Sequence, residues 1–203
     1  MTIFPTLAFI LIVITAMVIL VFRDWRINVS ALAVQYLAAF SLVNLSWPIG
    51  TAVVKLIVGW MATTVIALTC LRQMKHETLE ESTASLFFRG LAGLVAILVI
   101  FVLSPRLQDR IFPDLDLIII QSGLMLMVMA LMQLGTNAEP YLTIVSLLSL
   151  LSGFEIIHAG LENSTFLTGL LVIVNLGLAL VGVYFLVKND EKAPVLEGEE
   201  LHK

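Results

Sequence analysis

The sequence predicts an all-α integral membrane bundle of about seven transmembrane helices, with the N-terminus outside and the C-terminus in the cytoplasm. Three observations carry this. Of 203 residues, 60% are apolar and only 13% are charged, where ordinary soluble domains carry about 45–50% and about 25%. The mean hydropathy is +1.04. The apolar residues fall in seven continuous runs, each near the roughly 20 residues that a helix needs to cross the hydrocarbon core. A soluble fold of this length has too little interior to hide so much apolar surface, whereas lipid accepts it. The runs do not alternate apolar with polar, as the strands of a lipid-facing barrel do.

The first run, Ile3–Phe22, reads as a retained helix. No basic stretch precedes it, and Val21-Phe22-Arg23 is no small-residue cleavage site. Arg23-Asp24-Trp25-Arg26 closes it. The second run, Val29–Leu45, has ends blurred by its polar residues. It stops before Ser46-Trp47-Pro48, because the residue before a proline is pushed out of the helical region. The third run is Ile49–Leu71. Arg72–Ser85 follows as the longest internal loop, with room for an interfacial amphipathic turn. The fourth run, Leu86–Leu103, ends at Ser104-Pro105, which brackets a short basic loop together with Phe112-Pro113. Leu115–Leu134 is the fifth run, and Asn137–Pro140 turns the chain into the sixth, Tyr141–Leu161. Glu162-Asn163-Ser164 leads to the seventh, Phe166–Val187, with Asn163 or Ser164 as its N-cap. The remaining Lys188–Lys203 is polar and reads as a short mobile appendage that holds much of the formal charge of −4.

Positive charge sets the orientation. Loops on one side carry Arg23, Arg26, Arg72, Lys75, Lys188 and Lys192, with Arg89 close by, while the other side offers Arg106 and Arg110. The richer side is expected in the cytoplasm, as for a multi-pass protein of the cell (inner) membrane.

Several function classes find no support. No basic stripe suits a nucleic acid. The chain shows no phosphate loop, nucleophile–base triad or HExxH motif. Cys70 is the only cysteine, so neither an intrachain disulfide nor a cysteine metal cluster is expected, and a small buried hydrophobe is its simplest role. His76, His158 and His202 fall in a loop, a helix and the tail, and make no ligand pair for haem or zinc. No metal and no cofactor is therefore expected on this chain.

The polar residues inside the spans are the informative ones, since an ionisable group at mid-membrane costs on the order of a few kcal/mol. Glu155 lies well inside the sixth run, with His158 three and Glu162 seven residues later, a spacing that shares one helix face. A carboxyl group there can exchange a proton, and a nearby histidine extends such a relay. The plainer reading of Glu155 is a structural hydrogen bond to a neighbouring helix, and Glu162, at the helix end, can simply be solvated. Lys55 sits about one and a half turns inside the third run. It either snorkels to the interface on its long stem or pairs with a carboxylate in the bundle. Asn175, in the middle of the seventh run, hydrogen-bonds between helices by default or holds a water in a proton path. Gln35, Asn44, Gln121 and Gln133 read the same way, and Gly177 and Gly182 read as sites of close helix packing.

The stretch Gly153-Phe154-Glu155-Ile156-Ile157-His158-Ala159 resembles the glycine–aliphatic–glutamate–aliphatic signature of the K subunit of respiratory complex I. It is also similar to a stretch of the C subunit of multisubunit sodium/proton antiporters. Those are three-helix proteins with the glutamate in the middle helix, which implies such a unit here over residues 114–188. An N-terminal four-helix part (residues 1–104) and a polar cytoplasmic tail (residues 189–203) complete the division. The longer layout resembles the E component of hydrogenase-4 and related membrane arms, in which added helices include a lysine in the third span. Lys55 matches that lysine. Asn175 falls where that relative has an acidic residue, and Phe166–Val187 contains no acid, so the resemblance does not extend to a second carboxylate.

The resemblance implies a non-catalytic membrane subunit of a proton- or ion-translocating redox complex. Glu155 would be the proton relay, with His158, Lys55 and Asn175 tuning it or carrying water. Its partners would be the lipid bilayer and other antiporter-like or hydrogenase membrane subunits. Iron–sulfur and nickel or flavin centres would belong to the soluble arm of the complex. Two other classes stand beside this one: a structural or assembly subunit that conducts nothing, and a stand-alone small transporter or sensor. A retinal protein needs a lysine in the middle of its last helix, and Lys188 is at the very end. No internal repeat and no centrally broken span marks a transporter.

Overall fold

The computed structural model describes residues 3–73, 83–136, 139–162 and 164–200, with side chains described for all of these except residues 73, 165 and 189–200. Seven α-helices account for nearly all of them: α1 Ile3–Val21, α2 Trp25–Ser46, α3 Ile49–Gln73, α4 Thr83–Arg110, α5 Leu117–Thr136, α6 Pro140–Leu161 and α7 Thr165–Glu200. No strand occurs among the described residues. Each helix contains a stretch long and apolar enough to cross a membrane.

The helix ends follow local chemistry. Asp24 caps α2, its carboxylate accepting from the Arg26 backbone N–H at 2.9 Å, and α2 therefore starts at Trp25 rather than Val29. Ser164 caps α7 through a 3.4 Å contact from the Leu167 N–H; Asn163, the other candidate, lies outside the described residues. The amphipathic turn expected between Arg72 and Ser85 also falls largely outside them. Arg89 is buried on α4 and donates to the Val21 carbonyl at 3.0 Å and to Ser85 Oγ at 2.9 Å. Its cation thus sits at the carbonyl end of α1, where a helix favours positive charge.

Two expectations need correction. Helix α4 does not stop at Ser104-Pro105 but runs through it to Arg110, so Arg106 and Arg110 lie on a helix and not in a loop. Proline leaves the Phe101 carbonyl without its helical donor. One residue earlier, the Ser104 hydroxyl bonds the Ile100 carbonyl. The polar tail does not leave the last span as coil: α7 continues as helix to Glu200.

The helices pack as two fused four-helix rings. One consists of α2, α3, α7 and α6, in which α2 packs on α3, α3 on α7, α7 on α6 and α6 on α2. The other consists of α1, α2, α6 and α5, joined in the same manner. Helices α2 and α6 belong to both, and α4 lies outside against α1 and α5. The four N-terminal helices and the last three thus interleave, with α1 on α5, α2 on α6 and α3 on α7. The closest approach is between α5 and α6. A β-carbon on Gly153 would stand 2.7 Å from the Gly123 carbonyl oxygen, and one on Gly123 would stand 2.8 Å from that of Gly153. Gly182 likewise meets Ile144 on α6, but Gly177 has open space, so only one of the two expected packing glycines is one.

The polarity of the bundle is inverted relative to a soluble protein. Phe87, Phe88, Leu98 and Val102 of α4 are exposed on its outer surface, Phe87 by 74%. Asn28, Gln35, Lys55, Gln133, Glu155 and Asn175 are buried. Water outside such a surface would be unfavourable by the apolar area alone, whereas a lipid bilayer matches it. The chain is accordingly a multi-pass membrane protein in its surface chemistry.

Candidate functional site

The centre of the first ring holds two polar pairs that cross its diagonals. Lys55 of α3 reaches Glu155 of α6, with Nζ 3.7 Å from Oε2 and the two side chains only 7% and 8% exposed. Tyr36 of α2 donates its hydroxyl to Asn175 Oδ1 of α7 at 3.1 Å. Helices on opposite corners of a ring do not pack broadly on each other, so these pairs span the interior through side chains. Lys55 does not snorkel. Its ammonium also lies 4.5 Å from the centroid of the Trp47 ring, a cation–π contact. The lysine is thus held between an aromatic face and a carboxylate, which offsets part of the cost of taking it out of water.

Backbone packing sets up this geometry. Gly59 on α3 is where the Tyr36 ring rests, since a β-carbon there would stand 2.3 Å from Cδ1 of that ring. The phenol is thereby guided across to α7. Gly153, two residues before Glu155, lets α6 close on α5.

A small cavity opens beside the charged pair, lined by Tyr36, Val43, Lys55, Ser152 and Glu155 among others. It has room for a water molecule, with one carboxylate and one ammonium that such a water would bond. The centre of the second ring holds a similar space, lined by Ile19, Gln35, Met129, Gln133 and Ser149 among others. Gln133 there donates through Nε2 to the Ile19 carbonyl at 2.7 Å and lies 2.8 Å from the Ser146 hydroxyl through Oε1. Ser149 Oγ donates to Gln35 Oε1 at 3.4 Å.

The other residues singled out from sequence divide. His158 is buried near the pair, stacked on Phe154 with centroids 6.0 Å apart and edge-on to Trp47 at 6.2 Å. No hydrogen bond reaches either of its ring nitrogens, so it is not bonded to Glu155. Glu162 is exposed at the C-cap of α6. Asn44 faces outward, contrary to its expected role between helices. Gln121 is buried. Tyr36, Trp47, Ser149 and Ser152 were not among the expected site residues. The serines had a visible signal: Ser146, Ser149, Ser152 and Glu155 recur at every third position. Tyr36 and Trp47 had none, since Tyr36 acquires its partner from α7 and Trp47 its cation from the way α3 folds back beside it.

Among the described residues no group of three or more His, Cys, Asp or Glu side chains is placed to hold a metal ion. Cys70 is buried and free. No family model, curated protein or solved structure matches this chain.

Proposed function

We propose that this chain is a non-catalytic membrane subunit of a proton- or ion-translocating redox complex, similar to hydrogenase or complex I membrane arms, with Glu155 as its proton-relay group. One observation carries the reading: a carboxylate and an ammonium are paired inside the bundle, between helices long and apolar enough to span a membrane, beside a cavity with room for water. Intramembrane ionisable groups arranged this way mark ion and proton paths. The resemblance of the sequence around Glu155 to the K subunit supplies the class of complex. In this reading Lys55 is the counter-charge that tunes the relay, and Tyr36 and Asn175 shape the adjoining wall. His158 lies between Glu155 and the end of α6. The side bearing Arg23, Arg26 and Arg72 faces the cytoplasm of an inner-membrane complex, with the N-terminus outside and the C-terminus inside.

A second reading, an assembly subunit that conducts nothing, is favoured by one fact. Phe166–Val187 contains no acid, and Asn175, where a second carboxylate would be expected, is closed into a hydrogen bond with Tyr36.

The deciding experiment is purification of the tagged chain from its native membrane in mild detergent, followed by Glu155→Gln in the complex so obtained. The first reading expects antiporter-like and iron–sulfur partners, and reduced proton pumping with assembly intact in the variant. Unchanged pumping in a correctly assembled Glu155→Gln complex overturns it.

A further inference from the structure

The polar groups at the two ring centres are not independent. Ser146, Ser149, Ser152 and Glu155 form one ridge on α6 with three-residue spacing, which climbs about 14 Å of helix axis at about 1.5 Å per residue. A three-residue step turns the ridge partly around the helix. The ridge therefore starts at Gln133 in the second ring and ends at Lys55 in the first. Ser149 lines the second cavity and Ser152, one turn on, lines the first. Gln35 and Tyr36, adjacent on α2, divide between the two cavities in the same way.

Helices α2 and α6 run parallel along this ridge. Arg23 pairs with Glu139 at 3.8 Å before their first turns, Gln35 meets Ser149 midway, and Trp47 meets His158 at their far ends. Gln35 Nε2, Ser152 Oγ, Lys55 Nζ and both His158 nitrogens are buried without a hydrogen-bond partner. Buried polar groups are almost always satisfied, and where no protein atom does so an ordered water usually does. These orphaned groups follow one line from the second ring, through the charged pair, to the far end of α6.

We infer that a file of bound water molecules runs between α2 and α6 along the Ser146–Ser149–Ser152–Glu155 ridge and joins the two ring centres. The water occupies both cavities. Gln35 and Ser152 hold it in place, and it reaches Glu155 from the side of Gln133. The inference rests on the proposed relay only for its purpose; the presence of water is a separate matter with a separate test.

Two methionines on α5 supply that test. Met129 is 3% exposed and lines the second cavity, while Met125, 0% exposed one turn earlier, lines neither. The full chain in lipid nanodiscs would be given a brief X-ray pulse, in which hydroxyl radicals form from water next to buried side chains, and oxidation would be read by mass spectrometry. Met129 and Tyr36 are expected to be modified several-fold faster than Met125. Ser149→Leu, which puts a larger side chain into the second cavity beside Met129, is expected to bring Met129 down to the rate of Met125. Equal rates for Met129 and Met125 in the wild-type chain overturn the water file, whether or not the variant folds. Fast Met129 labelling together with proton pumping that is indifferent to Glu155→Gln overturns the relay and leaves the water file standing.

Discussion

Lys55 and Glu155, one hundred residues apart in sequence, meet at 3.7 Å across a ring of helices whose other diagonal is spanned by Tyr36 and Asn175. Each is the other's ion-pair partner inside the bundle, so each depends on the other. Removing one charge strands its partner, and a stranded buried charge typically costs about 3–5 kcal/mol. Lys55→Met and Glu155→Gln should therefore each lower the thermal stability of the detergent-purified protein. The Lys55→Met/Glu155→Gln double variant should recover most of the loss. Additive losses in the double variant would mean that the two groups are not coupled.

Tyr36 and Asn175 make the neutral counterpart of that pair. Interhelical hydrogen bonds inside membranes average about 0.6 kcal/mol and reach about 1.7. Tyr36→Phe should cost an amount in this range, well below either charge deletion, in the same melting measurement. A cost as large as that of Lys55→Met would show that the hydroxyl also supports the charged pair.

The α5–α6 contact rests on two glycines whose backbones touch. Any side chain at Gly153 meets the Gly123 carbonyl oxygen, which cannot move aside as a side chain would. Gly153→Ala should cost about 1–3 kcal/mol through overpacking. Gly177→Ala, with nothing within 4 Å of the new methyl group, should be neutral or slightly stabilising, because alanine favours the helix. Parallel melting curves of the two variants check this, and equal curves would contradict the close approach.

Arg89 joins α4 to the end of α1 through the Val21 carbonyl. Helix α4 lies at the edge of the bundle, against α1 and α5, so this contact should hold more of its position than one hydrogen bond would elsewhere. Hydrogen bonds to charged groups contribute about 1.5–3 kcal/mol. Arg89→Gln should lose about that much and raise the protease sensitivity of the protein, while Ser85→Ala should have a small effect. Unchanged proteolysis in Arg89→Gln would show that apolar packing alone secures α4.

The sequence by itself determined the class of fold and the number of helices, because hydropathy is a local property and lipid imposes a fixed length on each apolar run. It also marked Glu155, Lys55 and Asn175, since polar groups are costly in such runs wherever the helices end up. Helix ends were legible where a cap or a turn is local, as at Ser164. Asp24 carried the same kind of signal before α2. Tertiary structure alone decided what those groups touch. Lys55 had two roles open in sequence, and only the position of α6 across the ring chose the carboxylate over the interface. The sixth helix is apolar on every side apart from its serine ridge, so its inward face was set by the helices that surround it. Pro105 was read as the end of the fourth run, yet α4 runs through it to Arg110, because a proline removes one helical donor without forcing the helix to stop. Tyr36 gave no sign in the sequence, because packing alone brings Asn175 of α7 to its hydroxyl, and Trp47 joins the site only because α3 turns Lys55 back over its ring.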